Sequence, residues 1–203
     1  MVRENIKAAT EILKALTFIS GKNIDVADYK TELVDMLIEV SDNLDTDTVV
    51  AGILCDIFIN TNASTEEIRR EFGNNVLSIV LELTAYTNAY RTSPDKIRSA
   101  VEVTSFLSDA AKMIKLCDMA VKMTEISGTA LLENELKSRI TFSELAEKTV
   151  NKLKGVNKKA ETIFERALRA EKAKIRNALI KQEALFELRF NTGSPMASYA
   201  KAV

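Results

Sequence analysis

The residues best suited to chemistry are two aspartates set in apolar helical stretches, Asp56 after Cys55 and Asp118 after Cys117. Brought together, two carboxylates hold a hydrated magnesium ion weakly. The thiolate of Cys55 could add a soft-metal ligand, although an apolar helix is a poor place for an anion. One count narrows the field sharply, because the 203 residues include no histidine. Nucleophilic catalysis through a Ser-His or Cys-His pair is thereby excluded, and no glycine-rich phosphate loop is present. The plainer alternatives are that Asp56 is a buried carboxylate hydrogen-bonded to its neighbours and that Asp118 pairs with Lys115 or Lys122 on its own helix. The two cysteines have neither zinc-site nor disulfide spacing and read as small buried hydrophobes in a reducing, cytoplasmic setting.

Helices must position these residues. Apolar side chains make up 46% and charged ones 28%, with only six Gly and two Pro, which leaves too few turn residues for a β protein and implies an all-α fold. The first helix is expected from about Arg3 to Ser20, with Gly21 and Asn23 as its stop, and the second carries Leu33, Met36, Leu37 and Val40 before Ser41, Asp42 and Asn43. A third, apolar nearly all round and therefore central, is expected from Thr46 to Asn60. Ser64 and Glu67 then form a capping box, Phe72-Gly73 ends that short helix, and Val76, Ile79, Val80 and Leu83 mark the next. Ser93-Pro94 should open a helix, Ser108-Asp109 another that ends by Gly128, and a further one is expected from Thr141 to Leu153.

After Gly155-Val156-Asn157 a long, charged helix runs to about Phe190, with Ile163, Leu168, Ile175, Leu179 and Leu185 as a thin apolar stripe. The expected organisation is a helical core over residues 1–155, a charged helical extension over 156–190 packed on or projecting from it, and a flexible tail over 191–203. The net charge of −1 hides a division. Residues 1–151 carry 16 basic and 24 acidic side chains and residues 152–203 carry 12 and 5. The basic arm either meets a polyanion or packs on the acidic body. Lys152 to Lys181 holds ten Lys/Arg, but Phe164 is its one aromatic, and Glu161, Glu165 and Glu171 stand at helix-pairing distance from bases, so nucleic-acid binding is not expected. No apolar run is long enough to span a membrane.

Read in order, the chain has Cys55-Asp56, then Ile59-Asn60-Thr61, then Thr65-Glu66-Glu67-Ile68, then Phe72-Gly73 and Val76, and later Lys115-Leu116-Cys117-Asp118. These blocks resemble the alarmone hydrolase family of HD-domain phosphohydrolases, the RelA/SpoT type and its small single-domain relatives. In that family a buried helix ends in His-Asp and is followed by a Glu-Asp pair and Thr, a T-x-E-E-I helix start and F-G-x-x-V. A later K-L-A-D-x-L-x-N helix supplies a metal-binding Asp. The stretch from Val150 is similar to the helix, bend and helix that close the family's hydrolase domain, so the resemblance spans about Asn23 to Arg169 and implies an HD-domain-like helical bundle.

The departures bear on activity. In the family two histidines and two aspartates hold a manganese ion, and the Glu-Asp pair assists attack of water on a pyrophosphate ester. Here Cys55 takes the place of the dyad histidine, the Y-x-x-H turn falls at Tyr29 to Glu32 without one, Lys122 stands where an Asn is expected, and Ile59 and Asn60 replace the acids. Neither Ile59 nor Asn60 can act as a general base. What the resemblance then implies is a degenerate, vestigial site of Cys55, Asp56, Ile59, Asn60 and Asp118, with no metal and no cofactor. The expected function is that of a pseudoenzyme acting by binding: an inhibitor or sequestering partner of a host or bacterial protein, of the kind a bacteriophage would carry against host defence. Two alternatives stand beside it. One is a sponge or sensor for an alarmone or cyclic dinucleotide, with Arg69, Arg70, Lys112 and Lys115 as phosphate-binding candidates, and the other is a residual metal-dependent nucleotide pyrophosphohydrolase. The stripe on the last helix also suits a homo-oligomer contact.

Overall fold

The computed structural model describes residues 2–22, 28–41 and 45–191. Its helices are α1 (Val2–Gly21), α2 (Asp28–Val40), α3 (Thr46–Leu54), α4 (Ile57–Asn60), α5 (Thr65–Thr92), α6 (Lys96–Thr104), α7 (Asp109–Gly128), α8 (Leu136–Lys152) and α9 (Lys158–Asn191), with a 3-10 turn at Glu133–Glu135 before α8. The all-α expectation holds. The stop signals placed at Asn23, Asp42 and Asn43, and the tail beyond 191, lie outside the described residues.

Helix α3 is the centre, as its all-round apolar character predicts. Seven of its residues, Thr48 to Leu54, are buried, and α1, α2, α5 and α7 surround it. Asp45 starts it by accepting the Thr48 amide at 2.9 Å and the Thr48 hydroxyl at 2.6 Å, a cap of the usual Asp kind. Gly52 lets α2 approach closely, since a Cβ there would lie 3.0 Å from Leu37 Cδ1. The main core joins Leu33, Leu37, Ile53, Leu54, Ile68, Leu83, Ile114, Leu116, Met123 and Phe164. A smaller cluster of Tyr86, Ala100 and Leu145 packs α5, α6 and α8 together.

Four boundaries differ from the sequence expectation, one being the start of α8, which lies at Leu136 and not at Thr141. The helix expected over Thr46 to Asn60 breaks at Cys55-Asp56: the Cys55 amide bonds back only three residues to Gly52 O, and Asp56 leaves helical geometry at φ −109°, ψ 12° before α4 begins. Helicity resumes beyond Phe72, but Gly73 sits at φ 88°, ψ 176°, so α5 is two helical runs joined at a sharp kink that glycine alone adopts readily. Helix α6 is capped by Asp95, which accepts the Arg98 amide at 3.2 Å, and Ser93 closes α5 instead of opening α6. Aspartate outcompetes the Ser-Pro signal because its carboxylate reaches the free Arg98 amide, three positions beyond Asp95 itself.

The early turns of α9 belong to the core, where Ala160, Phe164, Ala167 and Leu168 are buried, while Leu179, Ile180, Leu185 and Phe186 in the later turns are exposed. Two of the α9 acids find partners outside α9 instead of pairing along it. Glu161 accepts the Gly155 amide at 2.8 Å, and Glu171, fully buried, receives Arg139 from α8 at 2.7 and 2.6 Å. The bases of α9 reach the acidic body through Lys159 to Glu39 and Lys172 to Glu147. Lys174 donates to the Ser127 carbonyl at 2.6 Å. Two bases of the chain's basic end are thus paired with acids of the body. Among the described residues no helix is long and apolar enough to cross a membrane.

Candidate functional site

The break between α3 and α4 and the middle of α7 bring the two aspartates to one cradle. Asp56 holds the N-terminal position of α4 yet makes no side-chain capping bond there. Its carboxylate accepts the Cys55 thiol at 3.6 Å and lies near enough to Lys122 on α7 to act on its charge. Asp118, 2% exposed, is held from both sides by bases of its own helix: Lys115 Nζ lies 3.0 Å from Oδ2 and Lys122 Nζ 2.8 Å from Oδ1. The i, i+4 spacing from Asp118 to Lys122 and the i, i+3 spacing from Lys115 put all three on one helix face.

Lys115 is buried and its ammonium also stands 4.3 Å from the centre of the Tyr86 ring, a cation–π contact that compensates part of its desolvation. The Tyr86 hydroxyl shares a 2.8 Å hydrogen bond with Thr149. Burial pushes the pKa of that phenol above the usual tyrosine value, against the lowering effect of the Thr149 bond. For Lys122 burial works against the charge, but the carboxylates of Asp118 and then Asp56 outweigh it and raise the ammonium above the ordinary lysine range. Lys122 therefore stays charged in the cradle. Cys117 faces away from such chemistry, its thiol pushed up to about 12 by burial.

Two further residues of the cradle were not singled out from sequence. Glu32 lies on α2, at the end of the Tyr29–Glu32 stretch that is helical here and not a turn, and Glu125 on α7 is raised above the usual carboxylate range by burial first and by the Glu32 charge second. The spacing of that stretch was the signal for Glu32. Nothing in the sequence pointed to Glu125, three residues past Lys122, because only the packing of α2 on α7 makes them neighbours.

The other expected site residues are placed plainly. Ile59 is half-buried and Asn60 exposed in α4. Arg69 and Arg70 are exposed on α5 and pair with Glu66 and Glu71, Lys112 pairs with Asp109 at 3.7 Å, and Lys115 is taken by Asp118. Each of these four bases is thus committed to an acid of its own helix, and they do not converge on one cavity. An open cleft of about 800 Å³ lies elsewhere, between α6 and α8, where Lys96, Arg98, Lys148 and Lys152 are mixed with Asp95, Glu102 and Glu144.

The donor set does not fit a resident divalent ion. Imidazole is missing from the whole chain, no three Cys, Asp or Glu side chains among the described residues group as a metal site, and the Lys122 ammonium already takes the Asp118 oxygen that such an ion would need.

Comparison with known proteins accords with this architecture. No curated protein matches the sequence. A solved structure reported under the words "A metazoan ortholog of SpoT hydrolyzes ppGpp and plays a role in starvation responses" superposes with a TM-score of 0.68 at 21% identity, covering 78% of this chain and 94% of that one. At that identity the likeness is one of fold. The HD-domain family itself matches residues 8–127, more than half of the sequence and the part that contains Asp56, Asp118 and Lys122. The chain belongs to the HD-domain family.

Proposed function

We propose that this HD domain does not hydrolyse nucleotides and acts by binding another protein, as an inhibitor or sequestering partner. The observation that carries the reading is the turn after Asp56. There an HD hydrolase of the alarmone type, by resemblance, places acids that activate water, and this chain places half-buried Ile59 and the exposed amide of Asn60. A hydrocarbon and a carboxamide cannot take a proton from water at neutral pH, and no histidine stands in for them.

Support for a protein partner comes from the surface. Leu179, Ile180, Leu185 and Phe186 are 42 to 63% exposed along the late turns of α9, beside Leu132 at 56%, and a groove between them is lined by Leu131, Leu136, Ala178 and Leu185. Grouped apolar exposure of this kind marks contact surfaces. A nucleotide sponge would need bases converging on a pocket, and Arg69, Arg70, Lys112 and Lys115 are instead held apart by their own acids. The bacteriophage counter-defence setting is a further part of this proposal and depends on the partner.

The test is co-purification from a bacterial or phage-infected lysate, comparing the wild-type chain with Leu185→Asp and Phe186→Asp. The reading expects a stoichiometric protein complex that both substitutions weaken at least tenfold, with both variants melting as the wild type does. Titration with guanosine tetraphosphate and with cyclic dinucleotides is expected to give no melting shift. Tight nucleotide binding without a protein partner would overturn it.

A further inference from the structure

We infer that the late turns of α9 pair with a second copy of this chain, antiparallel and about a two-fold axis near Gln182. Beyond Glu171 no described residue of α9 is buried, so the helix runs on from the body with one side uncovered. Toward the body stand Lys174, which donates to the Ser127 carbonyl, and Ala178 and Leu185, which line the groove against Leu131 and Leu136. About a quarter-turn round the helix, Ile175, Leu179, Gln182 and Phe186 recur at i, i+4, i+7 and i+11, a straight apolar stripe with one amide near its middle. Leu179 is 42% and Phe186 63% exposed. A helix end of this kind draws its stability from packing of such a face more than from propensity.

Charge selects the occupant. The flank beside the stripe, on the side away from the body, carries Arg176 toward the N-terminus and Glu183 and Glu187 toward the C-terminus. None of the three makes an ion pair among the described residues. Two copies in parallel would set each charge against its own kind. A two-fold axis at Gln182 applies the same patch to itself and runs the copies antiparallel, so that Arg176 of each lies beside Glu187 of the other. The two Gln182 amides, each both donor and acceptor, then meet at the axis. Glu171 stands about 16 Å before Gln182 along the helix, which carries the two bodies to opposite ends of the pair. A helical face about 20 Å long covers less than the roughly 800 Å² per partner of standard interfaces, which sets half-dimerisation on the order of 10 μM chain.

The pairing rests on the reading of this face as a contact surface, and assigns what covers it when no other protein does. Sedimentation velocity of the full chain is followed from about 1 to 300 μM for the wild type, Leu179→Asp, Arg176→Glu, Glu187→Lys, the double reversal Arg176→Glu/Glu187→Lys, and an equimolar mixture of the two single reversals, each first shown to hold wild-type helicity at about 1 μM. The wild type is expected to pass from monomer to dimer over that range. Leu179→Asp should weaken dimerisation at least tenfold, and each single reversal roughly threefold or more. The double reversal and the mixture should return to within about twofold of wild type, since both place opposite charges together again. A wild type still monomeric at the highest concentration, an assembly larger than a dimer, a dimer indifferent to Leu179→Asp, or single reversals that neither the double variant nor the mixture rescues would overturn the inference. Each of these leaves the proposed function to its own test, capture of a different protein through Leu185 and Phe186. A chain that dimerises as expected and captures no other protein overturns that reading and not this one.

Discussion

The buried pair of Arg139 and Glu171 offers the sharpest test of what ties α9 to the body. The Arg139 side chain is 7% exposed and that of Glu171 0%. The guanidinium meets the carboxylate in a two-pronged fork at 2.7 and 2.6 Å and also donates to the carbonyls of Ala130 at 3.0 Å and Ile126 at 2.5 Å. It thereby clamps the end of α7, the loop after it, α8 and α9 at one point. Arg139→Met removes the charge but keeps much of the volume, leaving the buried Glu171 carboxyl without its counter-charge and without the fork of hydrogen bonds. Breaking a buried pair in this way costs about 3 to 5 kcal/mol, which for a domain of this size lowers the melting temperature by roughly 6 to 20 °C. Arg139→Lys should recover only part of the loss, because an ammonium cannot reproduce the fork. The double variant Arg139→Met/Glu171→Leu should recover most of it, since no charge is left buried. Urea and thermal unfolding of the four proteins check this. An Arg139→Met chain within about 2 °C of wild type, or a double variant no better than the single one, would refute the reasoning.

Gly73→Ala should lose about 1 to 3 kcal/mol in urea unfolding, because φ 88°, ψ 176° is a region open essentially to glycine. Open space around the added methyl means that backbone strain alone is measured, and an unchanged midpoint would contradict the kink. The Glu67 carboxylate is held below its usual range, chiefly by the Lys22 hydrogen bond, with a Ser64 contribution, at 2.7 Å in the ion pair. A carboxylate lowered in the folded state adds stability above its unfolded value and loses it as pH falls through the folded one. Lys22→Met should therefore melt below wild type at pH 7 and converge with it in acid, and a gap of equal size at about pH 3 and pH 7 would refute that assignment.

The fold was legible where local chemistry was unambiguous. The periodicity of α1 and α2, the apolar run that makes α3 central, and the Ser108 cap of α7, which accepts the Ala111 amide at 3.3 Å, could all be read residue by residue. The break at Cys55-Asp56 was hidden because its neighbours are apolar on both sides, so helical periodicity passes through it without interruption. The Ser93-Pro94 signal misled for a similar reason, a stronger cap standing two residues further on. At the cradle, Asp56, Asp118 and Lys122 were all found from their places in the resembling motifs. Glu125 and the Arg139–Glu171 clamp were beyond reach, since each depends on helices that meet only in three dimensions. Charge division along the chain suggested two outcomes for the basic arm, and the pairs of Lys159 with Glu39 and Lys172 with Glu147 favour the one in which it packs on the body.

The account's central claim is that the HD cradle has kept its framework and given up its chemistry. The most direct measurement is pyrophosphate release from guanosine tetraphosphate by the purified chain at micromolar concentration with 1 mM MnCl2, followed alongside metal content of the protein. The account predicts release no faster than in buffer and no manganese bound. Turnover that Asp56→Ala and Asp118→Ala each abolish, with about one equivalent of metal in the wild type, would contradict it.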